Sequence, residues 1–155
     1  MANRFWLFKS EPEVFSIDDL EKADEQITYW DGVRNYQARN YLRDEIKLGD
    51  QVLFYHSNCE PPSIVGICEV VRRGYPDFTA FDPNDPHYDP KSKEFEPTWF
   101  MVDIQLKKKF KQPLSLEEIR QNPKLANMKL VQRGNRLSVM EVTREEWNEI
   151  VKGRK

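Results

Sequence analysis

Four bulky apolar residues in succession, Phe5-Trp6-Leu7-Phe8, place the strongest constraint on how this chain can fold. Side chains of a β-strand alternate between its two faces, so this run would project two large apolar groups to each side. A strand that is apolar on both faces is stable only when both faces are covered. Residues 4–9 are therefore predicted to form a central strand between two packed layers.

The length of 155 residues is typical of one domain, and we expect residues 1–155 to form a single folded unit. Four Trp, nine Phe and six Tyr residues supply the apolar surface needed to offset the entropy cost of ordering the chain. The two cysteines, Cys59 and Cys68, are too few for a disulfide framework or a four-cysteine zinc site. With 24 basic and 26 acidic side chains the net charge is −2, which excludes a wholly basic surface but not a local basic patch.

Apolar periodicity and capping residues predict a mixture of strands and short helices. Further strand-like segments lie at residues 51–56, 63–71, 99–107 and 137–142. Helix-starting sequences, in which Ser or Thr precedes an acidic residue by three positions, begin at Ser16, Ser115 and Thr143. These helices are too short for repeated strand–helix–strand crossovers. We therefore predict an α+β fold, in which five to six strands form a curled sheet or small barrel flanked by three to four short helices.

A helix predicted over residues 35–46 has two sides of opposite character. Small and apolar side chains share one side, whereas Arg39 and Arg43 lie one turn apart on the other. Asn35 can cap the start of this helix, and Arg34 immediately precedes it. Backbone amides and arginines in this arrangement suit an anion such as phosphate. A solvated charged face, without a ligand, is the alternative.

The segment Tyr29-Trp30-Asp31-Gly32 joins an indole to a carboxylate and a flexible glycine. An indole that lines a concave site can stack on a nucleobase for about 1–3 kcal/mol. A polar neighbour can then read the edge of the base. A core tryptophan followed by a turn would give the same sequence, so these residues alone leave both interpretations open.

Two segments carry residue types that are used in catalysis or metal binding. His56 and Cys59 could form a Cys–His pair, but a separation of three residues within a turn does not by itself make them hydrogen-bond. The segment from Asp82 to Asp89, inside a proline-rich loop over residues 75–97, is rich in oxygen ligands but matches no calcium loop. We expect no catalytic residue, no metal and no cofactor. The alternative is a nucleotide-acting enzyme that uses one of these two segments.

Basic residues cluster in the second half of the chain. The run Lys107-Lys108-Lys109-Phe110-Lys111 and the separate cations Lys129, Arg133 and Arg136 could follow a phosphate backbone. A solvated strand end has the same composition. The sequence does not decide between these two readings.

Several longer motifs resemble those of a known family. Trp6-Leu7-Phe8-Lys9-Ser10-Glu11-Pro12 and Trp30-Asp31-Gly32-Val33-Arg34-Asn35-Tyr36-Gln37-Ala38-Arg39-Asn40 are similar to the signature of the EVE domain family. Shorter matches are Phe54-Tyr55-His56-Ser57-Asn58, Ile64-Val65-Gly66, Tyr75-Pro76-Asp77, Pro86-His87-Tyr88-Asp89-Pro90 and Arg136-Leu137-Ser138-Val139. Because these blocks extend from Trp6 to the terminal helix, the resemblance covers nearly the whole chain.

The resemblance implies a PUA-like pseudo-barrel, related to the YTH readers of methylated adenine, and a function in binding a modified nucleobase without catalysis. Modified cytosine in DNA is the ligand usually proposed for EVE domains, and modified RNA is the second option. The Watson–Crick edge of a base is hidden in a duplex. Such a pocket therefore requires a flipped-out nucleotide or a single strand.

The matching motifs also imply which residues form the site. The expected base pocket consists of Ser10, Trp30, Asp31, Asn35, Tyr55, His56, Ser57 and Tyr75. Trp30 would be one wall of it and Tyr75 the opposing wall, with Asp31 or Asn35 reading the base edge. Phosphates would be held by Arg34, Arg39 and Arg43.

The expected partner is modified DNA or RNA, and we expect a monomer that is not attached to a membrane. The apolar run near the N-terminus is shorter than the 7–15 residues of a signal peptide core. The basic N-terminal extension of the eukaryotic nuclear members is absent. We therefore expect a bacterial cytoplasmic protein with access to the nucleoid, or a nuclear one if the source is eukaryotic. A module that docks a peptide on an aromatic surface is a further alternative.

Overall fold

The computed structural model describes residues 3–154, which contain six β-strands and four α-helices. The strands are β1 (Phe5–Ser10), β2 (Ile27–Tyr29), β3 (Gln51–His56), β4 (Ser63–Pro76), β5 (Phe100–Ser115) and β6 (Val139–Val142). The helices are α1 (Ile17–Lys22), α2 (Tyr36–Asn40), α3 (Leu116–Gln121) and α4 (Arg144–Val151). Short 3₁₀ helices lie at Asp24–Gln26, Phe78–Phe81, Pro123–Leu125 and Lys129–Val131.

The six strands form one mixed sheet in the order β2-β5-β4-β3-β1-β6. β1 and β3 run parallel, and the other four neighbouring pairs are antiparallel. Within residues 3–154 the edge strands β2 and β6 do not pair with each other, so the barrel stays open. The predicted α+β class, with mostly antiparallel strands and short flanking helices, is confirmed.

β1 is covered on both faces, as its apolar run predicts. Trp6 and Phe8 pack into one core with residues of α1 and α2. Phe5 and Leu7 pack on the opposite side, into a second core that includes residues of α3 and α4. The sheet therefore separates two apolar layers, with β1 between them.

The three predicted capping boxes start α1, α3 and α4. Ser16, Ser115 and Thr143 each accept a hydrogen bond from the backbone N–H three residues later, at 3.1, 3.2 and 3.1 Å. Each such cap contributes about 1 kcal/mol to helix stability. In the part of the chain that the structure describes, no helix has both the length and the apolar character needed to span a bilayer.

The predicted helix over residues 35–46 forms as two pieces. α2 ends at Asn40 and continues as a π-helical turn over Tyr41–Glu45, which closes with a 2.8 Å hydrogen bond from the Ile46 amide to the Tyr41 carbonyl. The buried side carries Ala38 and Leu42, both fully buried, as the periodicity predicts. The arginines of this helix lie on the outer side.

The lengths of the central strands and the existence of β2 differ from the sequence prediction. β4 extends to Pro76 and β5 to Ser115, because the two strands pair through several register shifts that break the regular alternation of apolar residues. β2 has only three residues and none of them is buried. Its pairing with β5, rather than its own composition, makes it a strand.

Candidate functional site

A cleft of about 400 Å³ lies at the carboxyl-terminal ends of β1 and β3. The two strands are parallel, so their ends meet at the same edge of the sheet. The walls come from the end of β1 and the loop after it, the turn after β3, residues 29–33 at the end of β2 and beyond, His87 of the long loop, and two residues before β6. Five separate segments of the chain therefore meet at this cleft.

Four of the eight residues predicted to form the base pocket line this cleft, namely Ser10, Trp30, Asp31 and Ser57. Ser10 ends β1 and Ser57 follows β3, and the Ser57 amide donates to the Ser10 carbonyl at 2.9 Å. Trp30 and Asp31 approach from the segment after β2. The structure thus brings together residues that are up to 47 positions apart in the sequence.

Trp30 is both a core residue and a wall of the cleft. Its indole is 7% exposed and packs against Phe8 at 5.3 Å and edge-to-face against Phe54 at 5.4 Å between ring centroids. The indole N–H of Trp30 donates to no acceptor among residues 3–154. Its nitrogen is not fully buried. One edge of the indole therefore remains accessible from the cleft.

Asp31 is one of two acidic residues that line the cleft, the other being Glu11, and it lies beside the imidazole of His87. Its Oδ2 is 3.2 Å from His87 Nδ1. Asp85 holds the same histidine by accepting its backbone N–H at 2.8 Å. Burial raises the pKa of Asp31, His87 opposes this shift, and the charge of Asp77 adds to it. The carboxylate is therefore poorly solvated and available as a strong hydrogen-bond acceptor for a ligand.

Asp77, a fully buried carboxylate, supports the cleft from below. It accepts hydrogen bonds from the Gly32 amide at 2.8 Å, from Arg34 Nη1 at 3.0 Å and from the Thr79 amide at 2.9 Å. Burial by itself would raise the pKa of Asp77, but hydrogen bonds from Thr79, Gly32 and Arg34 outweigh it and the pKa is lowered. This carboxylate fixes residues 32–34 in position beneath the long loop.

Arg34, predicted to hold a phosphate, is engaged in that support. Besides Asp77 it donates to the His87 carbonyl at 2.5 Å, and its guanidinium lies 5.3 Å from the Trp99 ring centroid. These contacts tie the long loop to the segment after β2. Arg34 does not line the cleft.

The other two predicted phosphate ligands also have protein partners. Arg39 donates to the Thr98 carbonyl at 2.6 Å, and Arg43 pairs with Asp44 at 2.8 Å. Neither arginine lines the cleft. The cations that do are Lys9 and Arg136. Arg136 is exposed and has no carboxylate within 4 Å among residues 3–154.

Tyr55 and His56 lie at the end of β3 but do not line the cleft. Tyr55 is buried in the second core, and burial raises its pKa to about 12. His56 Nε2 accepts the Ile17 amide at 3.1 Å, and its ring lines a different depression of the surface. The motif match identifies both residues, but only the sheet register reveals the faces on which they lie.

Asn35 and Tyr75 lie outside the cleft as well. Asn35 caps α2, and its Oδ1 accepts the Ala38 amide at 3.0 Å. The Tyr75 hydroxyl donates to Asp103, and the Arg72 guanidinium lies 3.5 Å from the centroid of its ring. Tyr75 therefore cannot be the wall that opposes Trp30.

His87 and Gly32 complete the cleft and were missed as site residues. Each stands in a block that resembles the EVE family, but nothing in the sequence indicates that the two come into contact. Gly32 has φ = +79°, and a Cβ built on it would lie 2.5 Å from His87 Nε2. Only glycine fits both this backbone conformation and this contact.

Gly32→Ala is expected to lower the free energy of unfolding by more than the 1–2 kcal/mol of left-handed strain and to move His87 away from Asp31. Gly134→Ala is the matched control, because Gly134 has φ = +80° with no atom within 4 Å of the added Cβ. Urea unfolding of both variants measures the difference. Equal losses of stability would show that the His87 contact has no energetic role.

The polar groups of the two segments considered for catalysis make local contacts with the backbone. Cys59 Sγ lies 3.7 Å from the carbonyl oxygens of both His56 and Pro61, and burial followed by the charge of Glu60 raises the pKa of this thiol. Asp82 and Asp89 accept backbone amides two residues ahead, as turn-capping residues do. Within residues 3–154, no three His, Cys, Asp or Glu side chains are grouped so as to hold a metal ion.

Comparison with known proteins identifies the family. Thymocyte nuclear protein 1 of Rattus norvegicus is 46% identical over 96% of this chain and 73% of its own length. A crystal structure of human THYN1 protein in complex with 5-methylcytosine containing DNA has a TM-score of 0.91 at 45% identity, covering 97% of this chain and 96% of that one. A protein of Pseudomonas syringae of known crystal structure has a TM-score of 0.90 at 46% identity, covering 96% and 97%. The profile of the EVE domain matches residues 4–153, and this chain therefore belongs to the EVE domain family.

Proposed function

We propose that this EVE domain is a non-catalytic reader that captures a modified nucleobase, with 5-methylcytosine in DNA as its ligand. The observation that carries the proposal is the cleft in which the accessible edge of Trp30 lies beside the poorly solvated carboxylate of Asp31. A volume of about 400 Å³ is within the range of small-ligand pockets. The similarity to human THYN1, whose structure contains 5-methylcytosine DNA, supports the same ligand class.

The polar groups of the cleft suit the hydrogen-bonding edge of cytosine. Cytosine presents an exocyclic amine, for which a carboxylate is a suitable acceptor, and Asp31 supplies that carboxylate. Ser10 and Ser57 add hydroxyl oxygens from the ends of β1 and β3, and that of Ser10 already donates its hydrogen to the Phe15 carbonyl at 2.6 Å. Because a paired cytosine hides this edge, the base must enter from a single strand or after flipping out of a duplex.

The cations at the cleft are Lys9 and Arg136, and we assign to them the phosphates that flank the captured base. Arg39 and Arg43 are left out of this set, since Thr98 and Asp44 already engage them. Two cations give a small electrostatic contribution. We therefore expect a shallow dependence of affinity on salt.

The 5-methyl group would be read by the apolar part of the cleft, which includes Val14, Phe15 and Val33. Burying one methyl group is worth about 0.8 kcal/mol, which corresponds to roughly fourfold tighter binding than to unmodified cytosine. The discrimination between modified and plain DNA is therefore modest. The hydrogen bonds to the base edge, rather than the methyl group, provide most of the affinity.

Asp31→Asn is expected to weaken binding of a single-stranded oligonucleotide with one 5-methylcytosine by about tenfold, because a charge-assisted hydrogen bond is lost. Fluorescence anisotropy measures the dissociation constant. Asp85→Asn is the matched control, since Asp85 also contacts His87 but does not line the cleft. Equal weakening by both variants would assign the effect to His87 and contradict direct reading by Asp31.

Binding measurements and the mass of the oligonucleotide separate the alternative functions. Matched DNA and RNA oligonucleotides with and without the mark identify the preferred nucleic acid. The modified oligonucleotide is expected to keep its mass after incubation with the protein, and a changed mass would favour an enzyme. Absence of binding to any modified base at millimolar nucleoside concentration would favour a peptide-docking module.

A further inference from the structure

A second cleft, of about 340 Å³, lies between β5 and the segment that follows α4. It is lined by Lys108, Lys111, Gln112, Gly153 and Arg154. None of these residues lines the first cleft, beside Trp30 and Asp31, which is called the base cleft from here on. Three of these five residues are cations, and none is acidic. The lining therefore carries three positive charges on a chain whose net charge is −2, and the carboxylate of Glu118 is close enough to Arg154 to interact with its charge.

The cations of the basic run on β5 fall into two groups. Lys107 pairs with Glu69 at 3.5 Å, and Lys109 pairs with Asp18 of α1. Lys108 and Lys111, which line the cleft, have no carboxylate within 4 Å among residues 3–154. The neighbouring acidic residues thus neutralise the cations outside the cleft and leave those inside it available.

The guanidinium of Arg154 is only partly engaged within the protein. Its Nη1 donates to the Ile150 carbonyl at 3.3 Å, whereas its Nε is buried without a hydrogen-bond partner. Among residues 3–154 this is the only buried side-chain nitrogen or oxygen in that condition. Buried donors in folded proteins are almost always paired. The Arg154 guanidinium is therefore incompletely satisfied within the protein, and a ligand in the cleft would contact it through its terminal Nη groups, because Nε is closed to solvent.

We propose that this second cleft binds a phosphate group, with Lys108, Lys111 and Arg154 as its charged donors and Gln112 as a neutral one. A phosphate offers several oxygen acceptors, and a guanidinium with two ammonium groups matches that geometry and charge. The group is either free inorganic phosphate or a phosphodiester of a nucleic-acid backbone. The site is separate from the base cleft and does not depend on the function proposed for it.

The test uses Lys111→Gln/Arg154→Gln in the full chain, against Lys107→Gln/Lys124→Gln as a control. The control removes the same charge from two cations outside the cleft that pair with Glu69 and Glu149. Isothermal titration with inorganic phosphate is the first arm, and we expect the test variant to bind at least about tenfold more weakly than the control. The salt dependence of binding to an unmodified single-stranded DNA is the second arm. Loss of two backbone contacts would reduce the slope of log affinity against log salt by about 1.4.

The two arms distinguish the sources of the phosphate. A loss in the first arm alone identifies free phosphate, and a reduced slope identifies the nucleic-acid backbone. If neither quantity differs between test and control variants, the proposal is wrong. Thermal unfolding verifies that both variants fold. Lys111→Gln alone, at an exposed position, repeats the test with one charge if Arg154→Gln unfolds the chain.

Discussion

Trp30→Ala is expected to lower the free energy of unfolding by about 3–5 kcal/mol, because it deletes an indole that is 7% exposed and packed on Phe8 and Phe54. For a domain of this size the thermal midpoint would fall by about 6–20 °C. The variant should also lose binding of the modified oligonucleotide. Thermal unfolding and anisotropy at a temperature where the variant is folded measure the two effects separately.

Trp30→Phe distinguishes the core role of Trp30 from its role in the cleft. Phenylalanine keeps an aromatic ring in the core but removes the indole N–H and its edge, so we expect a stability loss below about 1.5 kcal/mol together with weaker binding. Trp147→Phe is the matched control, since Trp147 is buried in the second core, stacked on Phe5 at 4.7 Å and away from the cleft. Binding by Trp30→Phe at the strength of the control would contradict a contact between the base and the indole edge of Trp30.

Asp77→Asn is expected to cost about 3–5 kcal/mol, because it leaves the Arg34 charge facing a buried amide that cannot accept all of the present hydrogen bonds. The segment 32–34 would lose its anchor, so binding at the base cleft should weaken as well. Asp82→Asn is the control, since Asp82 is exposed and Asn can still accept the Asn84 amide. Urea unfolding at neutral pH measures the difference, and equal stability of the two variants would contradict the anchoring role.

The pH dependence of stability gives a second readout for Asp77. Its pKa is lower in the folded state than in the unfolded chain, so its ionisation stabilises the fold at any pH above the ordinary Asp value of about 3.9. That contribution is lost as the pH falls through the lowered pKa. Wild-type stability should therefore decrease on acidification below about pH 4 more steeply than that of Asp77→Asn. Parallel curves would show that Asp77 contributes nothing to the acid sensitivity.

Four of the eight residues predicted for the base pocket line the cleft, and the other four lie elsewhere for a definable reason. Motifs identify which residues matter but not the direction in which they point. Tyr55 and Ser57 stand in one matching block, yet Tyr55 is buried in the second core and Ser57 lines the cleft. The motif match makes Asn35 an alternative to Asp31 for reading the base edge, but the Asn35 side chain caps α2. Orientation depends on the register of β3 and on the path of the chain after each strand.

The amino-acid sequence by itself determined the local structure of this protein and its family. The apolar run of β1, the capping boxes and the apolar side of α2 act through neighbours a few residues away, so periodicity and residue type are sufficient to predict them. Only the tertiary structure decided the composition of the cleft. Asp31 contacts His87, which is 56 positions later in the sequence, and Arg34 contacts Asp77, which is 43 positions later. His87 belongs to a loop without periodicity. Contacts at that separation depend on how the loops close over the sheet, and no local pattern encodes this.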